Sequence, residues 1–164
     1  MLTADIQTMF SYNYWANARI LDATAKVSPE QYVAPAPVSF GSLRGTLVHE
    51  VSVEYLWRRR FEGASPAKGL SEGDLPTFEA LRERWASEER AMRTYLAGLT
   101  DDDILRMFDF RRLQGERASN VLWHLLYHVV NHGTQTRGEA GVLLSQYGQS
   151  PGDLDFTLFL REKG

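Results

Sequence analysis

The sequence predicts an all-α protein, a four-helix bundle with a short C-terminal helix. Three observations lead to that class. Four long stretches carry apolar residues at three- and four-residue intervals, the spacing that lines one face of a helix. The segments between them are marked by Pro, Gly and Ser, which break helices and make turns. A length of 164 residues, 43% of them hydrophobic, suits one domain over residues 1–164 with a proper core and is short for two.

The first helix is expected over residues 3–26, TADIQTMFSYNYWANARILDATAK, a run free of Pro and Gly. Ile6, Phe10, Asn13, Asn17 and Ile20 share its apolar stripe, which Met9, Ala16 and Leu21 widen. Two asparagines there are unusual, because a buried amide needs partners for its donors and its acceptor; they read as ties between neighbouring helices. Ser28-Pro29-Glu30 has the form of a helix start, but Pro35 and Pro37 follow, so a short turn of helix and a connector are expected. The second long helix begins near Ser42 and ends at Gly63. His49 lies in its middle with Val53, Leu56 and Trp57 on or near its face, so the imidazole should point inward.

Residues 64–76, ASPAKGLSEGDLP, read as a surface loop. Thr77 caps the third long helix, whose first turns hold Glu79 and Glu83, where the helix dipole favours acid. Its apolar side is Leu81, Trp85, Met92, Leu96 and Leu99. Residues 104–117, ILRMFDFRRLQGER, alternate poorly and read as extended, a loose hairpin. Ser119 or Asn120 should cap the fourth long helix, which runs to Tyr147. Gly133, Gly138 and Gly141 each disfavour that helix by up to about 1 kcal/mol and imply that another backbone comes close. A last amphipathic helix over residues 153–161 carries Leu154, Phe156, Leu158, Phe159 and Leu160.

Composition narrows the function. A net charge of -3 opposes a general nucleic-acid surface, which needs a concentrated positive field. Arg58-Arg59-Arg60 and Arg111-Arg112 accordingly read as solvated helix ends and rim charges. No apolar run approaches a membrane span, and no basic segment followed by an apolar stretch opens the chain, so a cytoplasmic location is the expectation. With no cysteine, the chain offers neither a disulfide nor a thiolate ligand nor a thiol nucleophile of its own.

The fourth helix holds the most informative pattern. His124, His128 and His132 recur every four residues, so each sits about 40° further round and about 6 Å further along. Any adjacent pair has the HxxxH spacing by which a helix offers two imidazoles to one metal ion, although the Glu that follows the first His in zinc proteases is missing. The same row is also compatible with polar or half-buried core residues.

The stretch Tyr12-Asn13-Tyr14-Trp15-Ala16-Asn17-Ala18-Arg19-Ile20-Leu21 resembles the YNxWANxRLL opening of the DinB/YfiT-like four-helix-bundle family. HVVNHGTQTRGEA and LLSQYGQSPGDLDFTLFL resemble that family's HVxNHxTHHRGQ segment and its G-x-x-P-x-D-x-D ending. His49, Glu54, Trp57 and Arg60 match its H-x4-D/E-x2-W-x2-R pattern. The family takes its name from a damage-inducible gene, which links it to stress response. The resemblance implies a nickel or zinc site built from one His of the second helix and two of the fourth. Carried over, the first two ligands are His49 and His132, while the third position holds Thr136.

Three arrangements follow from that departure. His128 replaces the missing ligand, with the metal about one turn nearer the helix start; or His49 and His132 hold a metal alone, with Thr136 or water completing a weaker shell; or the site is metal-free. Glu139 is a poorer rescue, since it lies roughly 10 Å along the axis from His132. The resemblance further implies a metal-dependent enzyme using a low-molecular-weight thiol of the mycothiol or bacillithiol kind, an S-transferase or hydrolase acting on a small-molecule electrophile, and a homodimer. The alternative is a non-catalytic, diverged dimer that binds a small molecule.

Overall fold

The computed structural model describes residues 1–163. In chain order the elements are α1 (Thr3–Thr24), α2 (Pro29–Val33), α3 (Leu43–Phe61), α4 (Phe78–Ala97), α5 (Asp101–Leu105), β1 (Met107–Arg111), β2 (Arg117–Val121), α6 (Leu122–Gln146) and α7 (Phe156–Lys163). Hydroxyl caps start four of the helices. Ser28 accepts from the Gln31 N–H, Ser42 from Gly45, Thr77 from Ala80 and Thr100 from Asp103, each satisfying an amide that the first helical turn leaves unpaired. Gly63, just past α3, takes a φ of +83° that a side chain would oppose.

The four long helices form a ring. α6 packs against α1 and α3, and α4 packs against the same two, so α1 and α3 face each other across the bundle axis. The apolar interior divides into two clusters. One holds Ile6, Phe10, Trp57, Met92, Leu126 and Val129, and the other holds Ile20, Leu47, Val51, Leu81, Trp85 and Leu144. α7 docks on α1 through Phe156 and Phe159, which meet the Tyr12 ring at 5.3 and 5.9 Å. No helix among the described residues is long and apolar enough to cross a membrane.

The loose hairpin exists, with Met107 opposite Val121 and Arg111 opposite Arg117. Phe108 and Phe110 fall on one face by the two-residue period of a strand and pack on Phe61 and Trp57 of α3. Strand pairing moves the start of α6. Ser119 and Asn120 are committed to β2, so the helix opens at Leu122 and neither residue is its cap. α7 opens at Phe156 rather than at Asp153, whose carboxylate accepts the Asp155 N–H in a turn.

The glycines of α6 do not admit a neighbouring backbone. A side chain on Gly133 would meet atoms of the Asn13, Glu50 and Arg137 side chains, Gly138 faces open space, and Gly141 has only Pro151 nearby. The arginine run at the end of α3 is also not wholly solvated, since Arg58 and Arg60 are buried.

Candidate metal centre

Between the two apolar clusters lies a buried polar layer to which each long helix contributes. Glu54 of α3 accepts from the Asn13 and Asn17 amides through one carboxylate oxygen, at 2.8 and 2.9 Å, and from the Trp85 indole through the other, at 2.9 Å. Arg137 of α6 donates to the carbonyl oxygens of the same two asparagines at 2.5 and 2.7 Å. The asparagines thus stand between a buried acid and a buried base, orienting both, which is the tying role expected of them. Burial, reinforced by Glu50 one turn away, pushes the Glu54 carboxyl up to about 7.

The layer continues outward to two histidines. α3 and α6 run side by side, and they bring His49 Nε2 within 3.1 Å of His132 Nε2. Glu50, 1% exposed, lies 3.1 Å from His132 Nδ1. That pairing favours a proton on Nδ1 and turns Nε2 toward His49, the second-sphere arrangement that orients metal-binding imidazoles. The hydrogen bond to Glu50 raises the His132 pKa above its ordinary value. His49 moves the other way, lowered first by burial and then by His132. Phe40 stacks on the His49 ring at a centroid distance of 3.7 Å, and its loop is pinned to α6 where Ser39 donates to Glu139.

Two nitrogens 3.1 Å apart fit a shared divalent ion. At the usual metal–nitrogen distance of about 2.0–2.1 Å they would subtend about 100°, between octahedral and tetrahedral. The donor set is nevertheless small. Among the described residues no group of three or more His, Cys, Asp or Glu gathers in metal-binding geometry. Thr136 is buried beside His132, but its hydroxyl lies 3.4 Å from Nδ1 and donates to the His132 carbonyl, on the opposite side of the ring from Nε2.

The other histidines of the row are placed differently. His128 meets the edge of Trp57 at 5.4 Å and keeps its ring centre 6.1 Å from that of His132, with neither of its nitrogens bonded to the pair. Burial, His132 and Arg60 all lower its pKa. His124 hydrogen-bonds Asn120 on the surface. Glu139 accepts from Ser39 and makes no hydrogen bond to the pair, although its charge acts on His49.

Sequence reasoning missed two partners. Glu50 was legible only as the residue following His49, and Phe40 sits in an aperiodic connector with no signal at all. Glu50 also keeps one buried oxygen, Oε1, without a partner. That atom, Arg137 Nη1 and Asn13 Oδ1 all stand within 3 Å of where a Gly133 side chain would begin, so the missing Cβ leaves the space in which the polar layer meets the histidine pair.

Comparison with known proteins agrees with this architecture. The sequence model of the DinB family matches residues 1–163. Protein DinB of Bacillus subtilis (strain 168) is similar, with 28% identity over 166 residues that cover 93% of this chain and 91% of that protein.

Proposed function

The chain belongs to the DinB family, and from that premise we propose that it is a metal-dependent enzyme, a thiol S-transferase or hydrolase acting on a small electrophile. The observation that carries the reading is the convergence of His49 and His132 at 3.1 Å, with Glu50 behind His132. His49 and His132 would hold the ion. A bound nickel or zinc supplies a Lewis acid that lowers the pKa of a thiol or water beside it.

The surrounding residues perform definable tasks. Glu50 holds the His132 ring in one tautomer and supports its basicity. The lowered pKa of His49 favours the neutral imidazole, the form in which a histidine binds a metal. Phe40 shields one face of that ring from water. The chain has no cysteine, so the thiol in this reading is a separate low-molecular-weight molecule.

A second reading is favoured by Thr136. Its hydroxyl is spent on its own helix, leaving two imidazoles where the family resemblance calls for three, which suits a non-catalytic module that binds a small molecule. One experiment separates the two. Untagged protein and His49→Ala are titrated with nickel and zinc, followed by elemental analysis. Binding of about one equivalent that disappears in the variant, together with thiol-dependent turnover lost in the same variant, supports the enzyme. Absence of affinity for either metal removes it and leaves the binding module.

A further inference from the structure

A buried cation without an anion is costly, and a ligand that brings the anion relieves that cost. Three arginines are buried: Arg58, Arg60 and Arg137. Arg58 is paired with Glu62 and Glu88, and Arg137 donates to Asn13, Asn17 and Thr134. Arg60 differs from both. It is 8% exposed, its Nε is sealed from water with no hydrogen-bond partner, and no carboxylate among the described residues pairs with its guanidinium. The guanidinium lies 4.7 Å over the Trp57 ring and 5.7 Å over that of Phe110. Ring faces attract the charge, but they satisfy none of its in-plane N–H donors. Burial alone accounts for the downward shift of its pKa.

Its position relative to the histidine pair is informative. Arg60 lies about three helical turns beyond His49 on α3, which returns it to the same face. Its side chain leans back over Trp57, toward the His49 end of the helix. His128 meets the same Trp57 ring in a T-shaped contact at 5.4 Å, and His132 follows one turn along α6. The Arg60 backbone therefore stands about 16 Å beyond that of His49 by helical rise, and its side chain reaches back from there over Trp57, at one end of a row that ends at the His49–His132 pair.

We propose that Arg60 is an oxyanion-binding residue, receiving a carboxylate or phosphate carried by the small molecule whose reacting centre meets His49 and His132. The anion site stands on the unpartnered guanidinium; the reacting centre at the other end rests on the function proposed above. Guanidinium and either oxyanion match in planar, two-pronged hydrogen bonding, and the aromatic faces of Trp57 and Phe110 leave the edge of the fork as the side on which the ligand docks.

The test uses chelator-treated, metal-free protein at constant ionic strength set with sodium chloride. Acetate and inorganic phosphate are titrated separately, while thermal unfolding and the NMR signal of the Arg60 Nε–H are followed. At least one anion should raise the unfolding temperature and shift the Arg60 signal to saturation; acetate acting alone identifies a carboxylate ligand and phosphate acting alone a phosphate ligand. Arg60→Met, which keeps the stem and removes the charge, should unfold no earlier than the parent without anion and should no longer respond. An unresponsive parent protein overturns the proposal, and so does an Arg60→Met variant that responds equally. Should that variant not fold, the Arg60 signal of the parent decides. Metal is absent throughout, so a failure here leaves the metal reading intact, and a failed nickel or zinc titration leaves this one intact.

Discussion

Gly133→Ala tests whether the polar layer and the histidine pair are one unit. A methyl group at Gly133 would stand 2.7 Å from Arg137 Nη1, 2.8 Å from Asn13 Oδ1 and 2.8 Å from Glu50 Oε1, all closer than a carbon can approach. Arg137 must move, and with it the bonds from Nη1 to Asn13 and Asn17. Each hydrogen bond to a charged group is worth about 1.5–3 kcal/mol, so losing both costs about 3–6 kcal/mol. Replacing glycine within a helix returns up to about 1 kcal/mol. The net expectation is a loss of about 2–5 kcal/mol, a large fraction of the stability of an ordinary domain. Urea unfolding reads it as a lower midpoint with an unchanged slope. Gly138→Ala is the control, because nothing lies within 4 Å of that position; it should gain up to about 1 kcal/mol. The reasoning is refuted if Gly133→Ala is as stable as Gly138→Ala.

Three further outcomes are expected. Glu50→Gln keeps an acceptor for His132 Nδ1 but removes the charge, so NMR titration should find the His132 pKa lower than in the parent, with nickel affinity reduced about 10- to 100-fold; an unmoved pKa would remove Glu50 from its role. Thr136→His restores an imidazole one turn beyond His132 and should tighten nickel binding at least about tenfold by calorimetry; equal affinity would mean that the pair does not form the ion's binding face. Stability should fall between pH 5 and pH 8. Glu54 is an acid whose folded pKa, about 7, lies above its ordinary 4.5, so its contribution is complete below about pH 4.5 and is lost as the pH rises through 7. Glu54 accounts for a difference on the order of 3 kcal/mol; the raised pKa of His132 adds to it, whereas the lowered pKa values of His49 and His128 act against it as the pH rises toward 6.5. A urea midpoint at pH 8 equal to that at pH 5 would contradict it.

By itself the sequence determined whatever is decided within a few residues of chain. Apolar periodicity placed the four long helices, Ser42 and Thr77 set the starts of two of them, and Gly63 marked an end, because caps, helical stripes and left-handed glycines act over one or two turns. Asn13 and Asn17 were legible as ties for the same reason, since an amide on an apolar stripe demands partners whatever the rest of the chain does. Tertiary structure decided which partners they found. From spacing alone, His124, His128 and His132 are equivalent members of one row; only the packing of α6 on α3 brings His132 to His49, aims His128 at Trp57 and leaves His124 on the surface. It likewise separates three adjacent arginines, pairing Arg58 with acids, leaving Arg59 at the rim and burying Arg60 over two rings, one of which arrives from the hairpin. Convergence of side chains from different helices depends on how those helices pack, and no local pattern in the chain encodes that packing.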